Sequence, residues 1–129
     1  MWIDAEAFPI VRLRYDRDEP AGKADNLDVL ADLLNREQPF VLIGSGTHVH
    51  DESREQRKRI VLWLKHNRAR LTRLVRALVY VEPDSAQRLV ARPAAFLFEK
   101  FWGFPMIISE SPSAALALAT ALLDRQRDS

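Results

Sequence analysis

Two histidines near the middle of the chain have the spacing of a possible metal site. His48 and His50 are two residues apart. Alternate residues of an extended chain point the same way, so both imidazoles could face one ion, with Asp51, Glu52 or His66 completing the site. An exposed polar loop explains these residues better, because the sequence gives neither histidine a visible supporting partner. We therefore predict that the protein binds no metal and needs no other cofactor.

Glycines and hydroxyl-bearing residues precede the histidines. Gly44, Ser45, Gly46 and Thr47 follow an apolar run and lead toward a helix rich in arginine. Ligands of open α/β sheets bind beyond the carboxyl ends of the strands, so Ser45, Gly46 and Thr47 are candidates for holding a ligand or accepting a phosphate. The alternative is that they only form a turn, which their residue types favour. No triad is visible by spacing, and we assign no catalytic residue.

Charge is distributed unevenly along the chain. Residues 1–52 carry a net charge of −6, residues 53–76 carry +8, and residues 77–129 carry −1. The central block predicts a basic helix, in which Arg54, Arg57 and Lys58 are candidates for binding anions. A solvated helix face, neutralised by the acidic first third, is the simpler interpretation. Trp63 is the only aromatic residue of the block. Since base stacking needs more aromatic side chains, we expect no nucleic-acid binding.

Aromatic residues are concentrated between positions 96 and 104. Five of the eleven aromatic residues lie there: Phe96, Phe98, Phe101, Trp102 and Phe104. A helix that is apolar all round is normally buried or docked against another surface. The rings can therefore belong to the core, to a subunit interface or to an apolar ligand pocket, with Phe98, Phe101 and Trp102 as the candidates for the last two roles. We predict a homodimer with Phe98 or Trp102 at the contact.

The hydrophobic pattern alternates strands with helices. Strands are predicted at 8–15 (half-covered, at an edge), 39–43, 77–81 and 105–109, and helices at 25–35, 53–76, 84–92, 93–102 and 111–123. Asn67 interrupts the apolar stripe of the basic helix, which indicates a break there, and Pro93 indicates another. Ala115, Leu116, Ala119, Leu122 and Leu123 form the expected buried face of the last helix. This order predicts one α/β domain over 1–129, with a mostly parallel sheet of four or five strands, about four helices and a polar tail at 124–129.

Composition narrows the class of protein further. The chain has 129 residues, 47% of them hydrophobic, and no cysteine. Disulfides and thiolate metal sites are therefore excluded. The apolar run at 114–123 is too short to cross a bilayer, and the first residues lack the basic lead and apolar stretch of a signal peptide. We accordingly expect a cytoplasmic protein without a membrane span.

The layout resembles the SpoIIAA-like, or STAS/SEC14-type, group of small bacterial domains. The resemblance rests on FVLI (40–43) with the loop and basic helix after it, on RALVYV (76–81), and on GFPMII (103–108) followed by SPSAAL (111–116). It covers roughly residues 8–123 in the order of elements. It implies a STAS-like α/β fold and a regulatory role.

Phosphorylation is a further implication of this resemblance. In anti-sigma-factor-antagonist members of the wider family, a Ser at the start of the helix after a buried strand is phosphorylated, and an Asp commonly precedes it. Ser45 and Thr47 are the hydroxyls at that place. The sequence departs from the pattern at Gly44, where the acidic neighbour is expected, and in the residues that separate the hydroxyls from the helix.

We therefore expect a non-enzymatic, STAS-like regulatory or protein-interaction module that self-associates. Two alternatives stay open. One is an enzyme that uses the loop 45–51 with a small ligand or a metal, and the other is an anion or nucleic-acid binder that uses the basic helix 53–76.

Overall fold

The computed structural model describes residues 2–15, 25–45 and 54–127. The strands are β1 (Trp2–Asp4), β2 (Ile10–Arg14), β3 (Phe40–Ser45), β4 (Val75–Val81) and β5 (Met106–Ser109). The helices are α1 (Asn26–Asn35), α2 (Arg54–Leu74), α3 (Ser85–Trp102) and α4 (Pro112–Arg127). The predicted α/β class, with its alternation of strands and helices, is confirmed.

The five strands form one sheet in the order β1-β2-β3-β4-β5. β2 to β5 run parallel, and β1 pairs antiparallel with β2. β3 is buried from Phe40 through Gly44 because both of its faces are covered, which explains its continuous apolar sequence. The carboxyl ends of β2, β3 and β4 bring Arg14, Ser45 and Val81 to the same end of the sheet.

Two apolar clusters lie on the two faces of the sheet. The larger cluster joins the sheet to α1, α2 and α3, with Leu33, Phe40 and Leu71 among its members. The smaller cluster is formed with α4, whose Ala115 and Ala119 are fully buried against the sheet. Small residues there let the helix approach the strands closely. The sheet thus has three helices on one side and one on the other.

Local signals place the helix ends where the sequence predicted them. The Asp25 carboxylate accepts a hydrogen bond from the backbone N–H of Leu27, at 2.9 Å, and begins α1. The Ser111 hydroxyl accepts from the N–H of Ala114, at 3.1 Å, just before Pro112. Such side chains satisfy backbone donors that a helix leaves unpaired in its first turn.

The edge of the sheet differs from the prediction. β2 was expected to be an edge strand, but β1 pairs with it and takes that place. β1 has only three residues and one buried side chain, Ile3, so it shows no period in the sequence. Arg14 of β2 supports the pair, since it lies 3.6 Å from the Asp4 carboxylate and 5.3 Å from the centre of the Trp2 ring.

The predicted interruptions of two helices are wrong. α2 is continuous through Asn67, whose side-chain amide donates to the carbonyl of Trp63 and so fits within the helix. α3 is one helix with Pro93 inside it. A proline removes one backbone hydrogen bond, and the neighbouring alanines favour helix.

The last helix also differs in two details. α4 continues as helix through Arg127, so the tail predicted at 124–129 begins later than expected. Leu116, predicted on the buried face, is 41% exposed. Ala115 and Ala119 are buried against the sheet, and Leu118, Leu122 and Leu123 pack against the same cluster, partly buried.

Candidate interaction surface

The basic helix α2 is attached to α1 by one side of its surface. Arg59 pairs with the carboxylate of Asp25, and Arg73 pairs with Glu37 at 2.8 Å. Arg70 donates to the Asn35 side chain at 3.0 Å. The hydrogen bond from Arg59 lowers the pKa of Asp25 below its ordinary value. Part of the positive charge is therefore neutralised by the acidic first third of the chain, as the simpler interpretation predicted.

Three cations at the start of α2 are arranged differently. Arg54, Arg57 and Lys58 are exposed, and within the described residues none of them forms an ion pair. Together with Val61 and Leu62 they line an open cleft of about 450 Å³. The candidate anion-binding residues thus lie together, but beside exposed aliphatic side chains.

α3 is the least covered helix of the molecule. None of its described residues is fully buried. Val90 is 72% exposed and Leu97 64% exposed, although such side chains normally lie inside a protein. Within the described residues, seven of the eight exposed large apolar side chains belong to α2 and α3, and we call this set the α2/α3 apolar surface: Val61, Leu62, Leu89, Val90, Phe96, Leu97 and Phe101.

Arg68 joins α2 to α3 at their carboxyl-terminal ends. Its guanidinium donates to the carbonyls of Phe101, at 2.6 Å, and Lys100, at 2.7 Å. Val61 lies two turns before Arg68 on the same side of α2, so it faces toward α3. Val90 and Leu97 lie on the same side of α3 as Phe101. The cleft itself is lined by α2 residues alone, and Val90 and Leu97 are exposed side chains of the helix next to it.

The aromatic segment divides into packed and exposed rings. Phe98 and Trp102 are half-buried against the larger cluster, and their ring centres are 5.9 Å apart. Phe104 is buried, 5.4 Å from Phe98. Phe96 and Phe101 are exposed, with the Lys100 ammonium 4.6 Å from the Phe96 ring centre. Of the three rings predicted for an interface or pocket, only Phe101 is exposed.

Two tyrosines meet at the carboxyl end of the sheet. Tyr15 and Tyr80 have ring centres 6.1 Å apart and lie on the face that α1, α2 and α3 cover. Burial, with a smaller effect of Tyr80, raises the pKa of Tyr15 to about 12. Burial, followed by the charge of Glu82, also raises the pKa of Tyr80. Both hydroxyls therefore stay protonated at neutral pH.

Gly44 lies between these two rings. A Cβ atom at Gly44 would be 3.0 Å from Cε2 of Tyr15 and 3.3 Å from Cδ2 of Tyr80. Close packing therefore favours glycine at this position. Ser45 follows it, half-buried at the end of β3, and its carbonyl accepts from the N–H of Tyr15 at 3.3 Å. Sequence analysis missed this pair, since its two tyrosines are 65 positions apart and no local pattern connects them.

The remaining candidates of the central loop are Gly46, Thr47, His48 and His50, which lie outside the described residues. His66, considered as a third metal ligand, is on α2, and its Nδ1 is 2.8 Å from the carbonyl of Leu62. Within the described residues, no three His, Asp or Glu side chains are grouped so that they could hold a metal ion.

Sequence analysis identified only part of the α2/α3 apolar surface. Val61 and Leu62 lie outside the apolar stripe of α2. Apolar residues outside the stripe are expected to be exposed, so this position could have identified them from the sequence.

None of the helices in the described part of the chain has the length and apolar character needed to cross a membrane. Comparisons with protein-family models, curated proteins and solved structures give no match to this chain.

Proposed function

We propose that this protein is a non-enzymatic interaction module that binds an acidic amphipathic helix of a partner protein between α2 and α3. The single observation that carries the proposal is that the exposed Val61 and Leu62 line a cleft with three cations that form no ion pair within the described residues. Val90 and Leu97 add exposed apolar side chains on the neighbouring helix. An amphipathic helix places its apolar face in such a groove through residues at a spacing of three and four. Carboxylates along one edge of that helix would then face the cations of α2.

Charge complementarity favours this occupant over a neutral one. Arg54, Arg57 and Lys58 line the cleft together with Val61 and Leu62 of the same helix, and the neighbouring α3 exposes Val90 and Leu97. Exposed charges of this kind chiefly set the rate of association and the choice of partner, while the apolar contacts supply most of the affinity. A STAS-like, cytoplasmic regulatory domain, as the sequence resemblance implies, is part of the same proposal. Recognition of a partner segment is a suitable task for such a domain.

The proposal is tested with two synthetic peptides of equal length. Both carry leucines at helical spacing, and the remaining positions are glutamate in one peptide and lysine in the other. We expect the acidic peptide to bind at least about tenfold more tightly, and its affinity to fall as salt rises from about 50 to 300 mM. Binding is measured by fluorescence anisotropy of labelled peptide. Equal affinity of the two peptides, or no binding of the acidic one, would overturn the proposal.

Variants locate the site on the protein. Leu97→Glu and Lys58→Glu are each expected to weaken binding of the acidic peptide by about tenfold or more, because each places a carboxylate on the surface proposed to bind it. Leu116→Glu is the matched control, since Leu116 is an exposed leucine on the opposite face of the sheet. An equal loss in the control would contradict this location. Binding to anionic lipid vesicles without peptide binding, lost in Leu97→Glu, would assign the surface to membranes instead.

A further inference from the structure

The side of α3 that turns away from α2 has its own pattern. Leu89, Arg92, Phe96 and Glu99 follow one another at intervals of three and four residues, so they form a stripe along the helix. Arg92 and Glu99 are about half a turn away from Val90 and Leu97, which belong to the surface proposed to bind the peptide. β5, the strand that follows α3, is the last strand of the sheet, so no further strand of the described chain lies beyond this side.

The two charges of this stripe are of opposite sign and exposed. Arg92 and Glu99 are seven residues apart, which is about two helical turns or 10 Å. Neither forms an ion pair with another described residue. Phe96 lies between them and is 60% exposed. An exposed phenylalanine flanked by unpaired charges is the arrangement of an interface centre with a polar rim.

We propose that this stripe binds the same stripe of a second copy of the chain, with the two α3 helices antiparallel. A two-fold axis beside Phe96 brings the Phe96 rings of the two copies together. The same axis places Arg92 of each copy opposite Glu99 of the other, so that two ion pairs form by symmetry. A stripe carrying charges of one sign would repel its copy, whereas this one complements itself.

The proposed dimer is independent of the proposed function. It uses the side of α3 that faces away from α2 and leaves the cleft, and Val90 and Leu97 beside it, accessible in both copies. It also revises which ring is expected at the contact. Phe98 and Trp102 are packed against the core of their own chain, whereas Phe96 is not.

Charge reversal tests the antiparallel arrangement. Wild type is expected to show a monomer–dimer equilibrium in sedimentation at about 10 to 300 µM, at low salt. Arg92→Glu and Glu99→Arg are each expected to weaken the dimer by about tenfold or more, because two attractions become two repulsions. The double variant R92E/E99R should recover most of the wild-type association, since it restores both pairs with their signs exchanged.

Further variants separate the possible outcomes. Phe96→Glu should give a monomer, whereas Arg125→Glu, an exposed cation of α4, should not change association. Circular dichroism confirms that each variant is folded. A wild type that stays monomeric at 300 µM, or a double variant no better than the single ones, would overturn the proposal. R92E should bind the acidic peptide as tightly as wild type does. A failure of the proposed dimer can therefore be distinguished from a failure of the proposed peptide binding.

Discussion

At the scale of residues, Tyr15 has the most strongly shifted pKa of the described chain, and its ring packs beside that of Tyr80. Gly44 brings the two rings together, because only a residue without a side chain leaves room between them. Burial disfavours the charged phenolate, so both pKa values lie above the ordinary value. The pair serves to close the end of the core, and its protonation links the stability of this end to pH.

Tyrosine titration tests this linkage. The chain has two tyrosines, so single Phe variants assign each transition. We expect Tyr15 to titrate at about pH 12 in the folded protein and near 10 after unfolding. Because the folded pKa is the higher one, stability is complete below pH 10 and falls between pH 10 and 12. The fall should be smaller in Tyr15→Phe. Absorbance titration of native and denatured protein measures both values, and an ordinary value in the folded state would contradict the packing.

At the scale of elements, the stability of α3 depends on the contacts at its two ends more than that of the other helices does. It has no fully buried side chain, and Pro93 removes one of its internal hydrogen bonds. Its first turn is capped by the Asp84 carboxylate, which accepts from the N–H of Ala86 at 2.8 Å. Its last turn ends at Gly103, which has a φ of 88°, with Arg68 holding the carbonyls just before it. These contacts position both surfaces proposed for α3.

Substitution of Gly103 tests the importance of the carboxyl-terminal end. A Cβ atom at Gly103 would lie 2.6 Å from Oγ1 of Thr72, and the left-handed conformation is unfavourable for alanine. We expect Gly103→Ala to lower the free energy of unfolding by about 1–2 kcal/mol. Adding Thr72→Ala to this variant should restore only that part of the lost unfolding free energy that comes from the contact between the new Cβ atom and Oγ1 of Thr72. Urea unfolding measures the free energy of unfolding of both variants. An unchanged unfolding midpoint in Gly103→Ala would show that α3 ends in a conformation other than the left-handed one at this position.

The elements also show what the sequence could and could not predict. The cap at Asp25, the continuous run of β3 and the Ser111-Pro112 start of α4 are local signals, and all three are confirmed. The strand β1 was missed because three residues carry no period. The exposed rings of α3 could not be predicted, since aromatic and aliphatic side chains lie on several sides of the helix and only its position over the sheet decides which rings are covered. The candidates at 46–50 lie outside the described residues and stay predictions.

At the scale of the whole molecule, six of the nine cations in residues 53–76 form two groups with different contacts. Arg59, Arg70 and Arg73 connect α2 to α1, so they are used inside the structure. Arg54, Arg57 and Lys58 line the cleft. The net charge of +1 for the whole chain therefore conceals a small cationic surface beside an apolar one. Such a surface is more suitable for an acidic protein segment than for a nucleic acid, whose phosphates would face aliphatic side chains.

This division predicts that nucleic acids bind weakly. Trp63, the only aromatic residue of α2, packs against the larger cluster and is not available for stacking on bases. With a group of three cations at the start of α2 to contact phosphates, competition by salt should remove most of the affinity. We expect dissociation constants weaker than about 100 µM for single-stranded DNA, duplex DNA and RNA at about 150 mM salt. Anisotropy with labelled oligonucleotides measures these values. Micromolar binding with a steep salt dependence, lost in Arg57→Glu but not in Arg125→Glu, would instead make the cleft a nucleic-acid site.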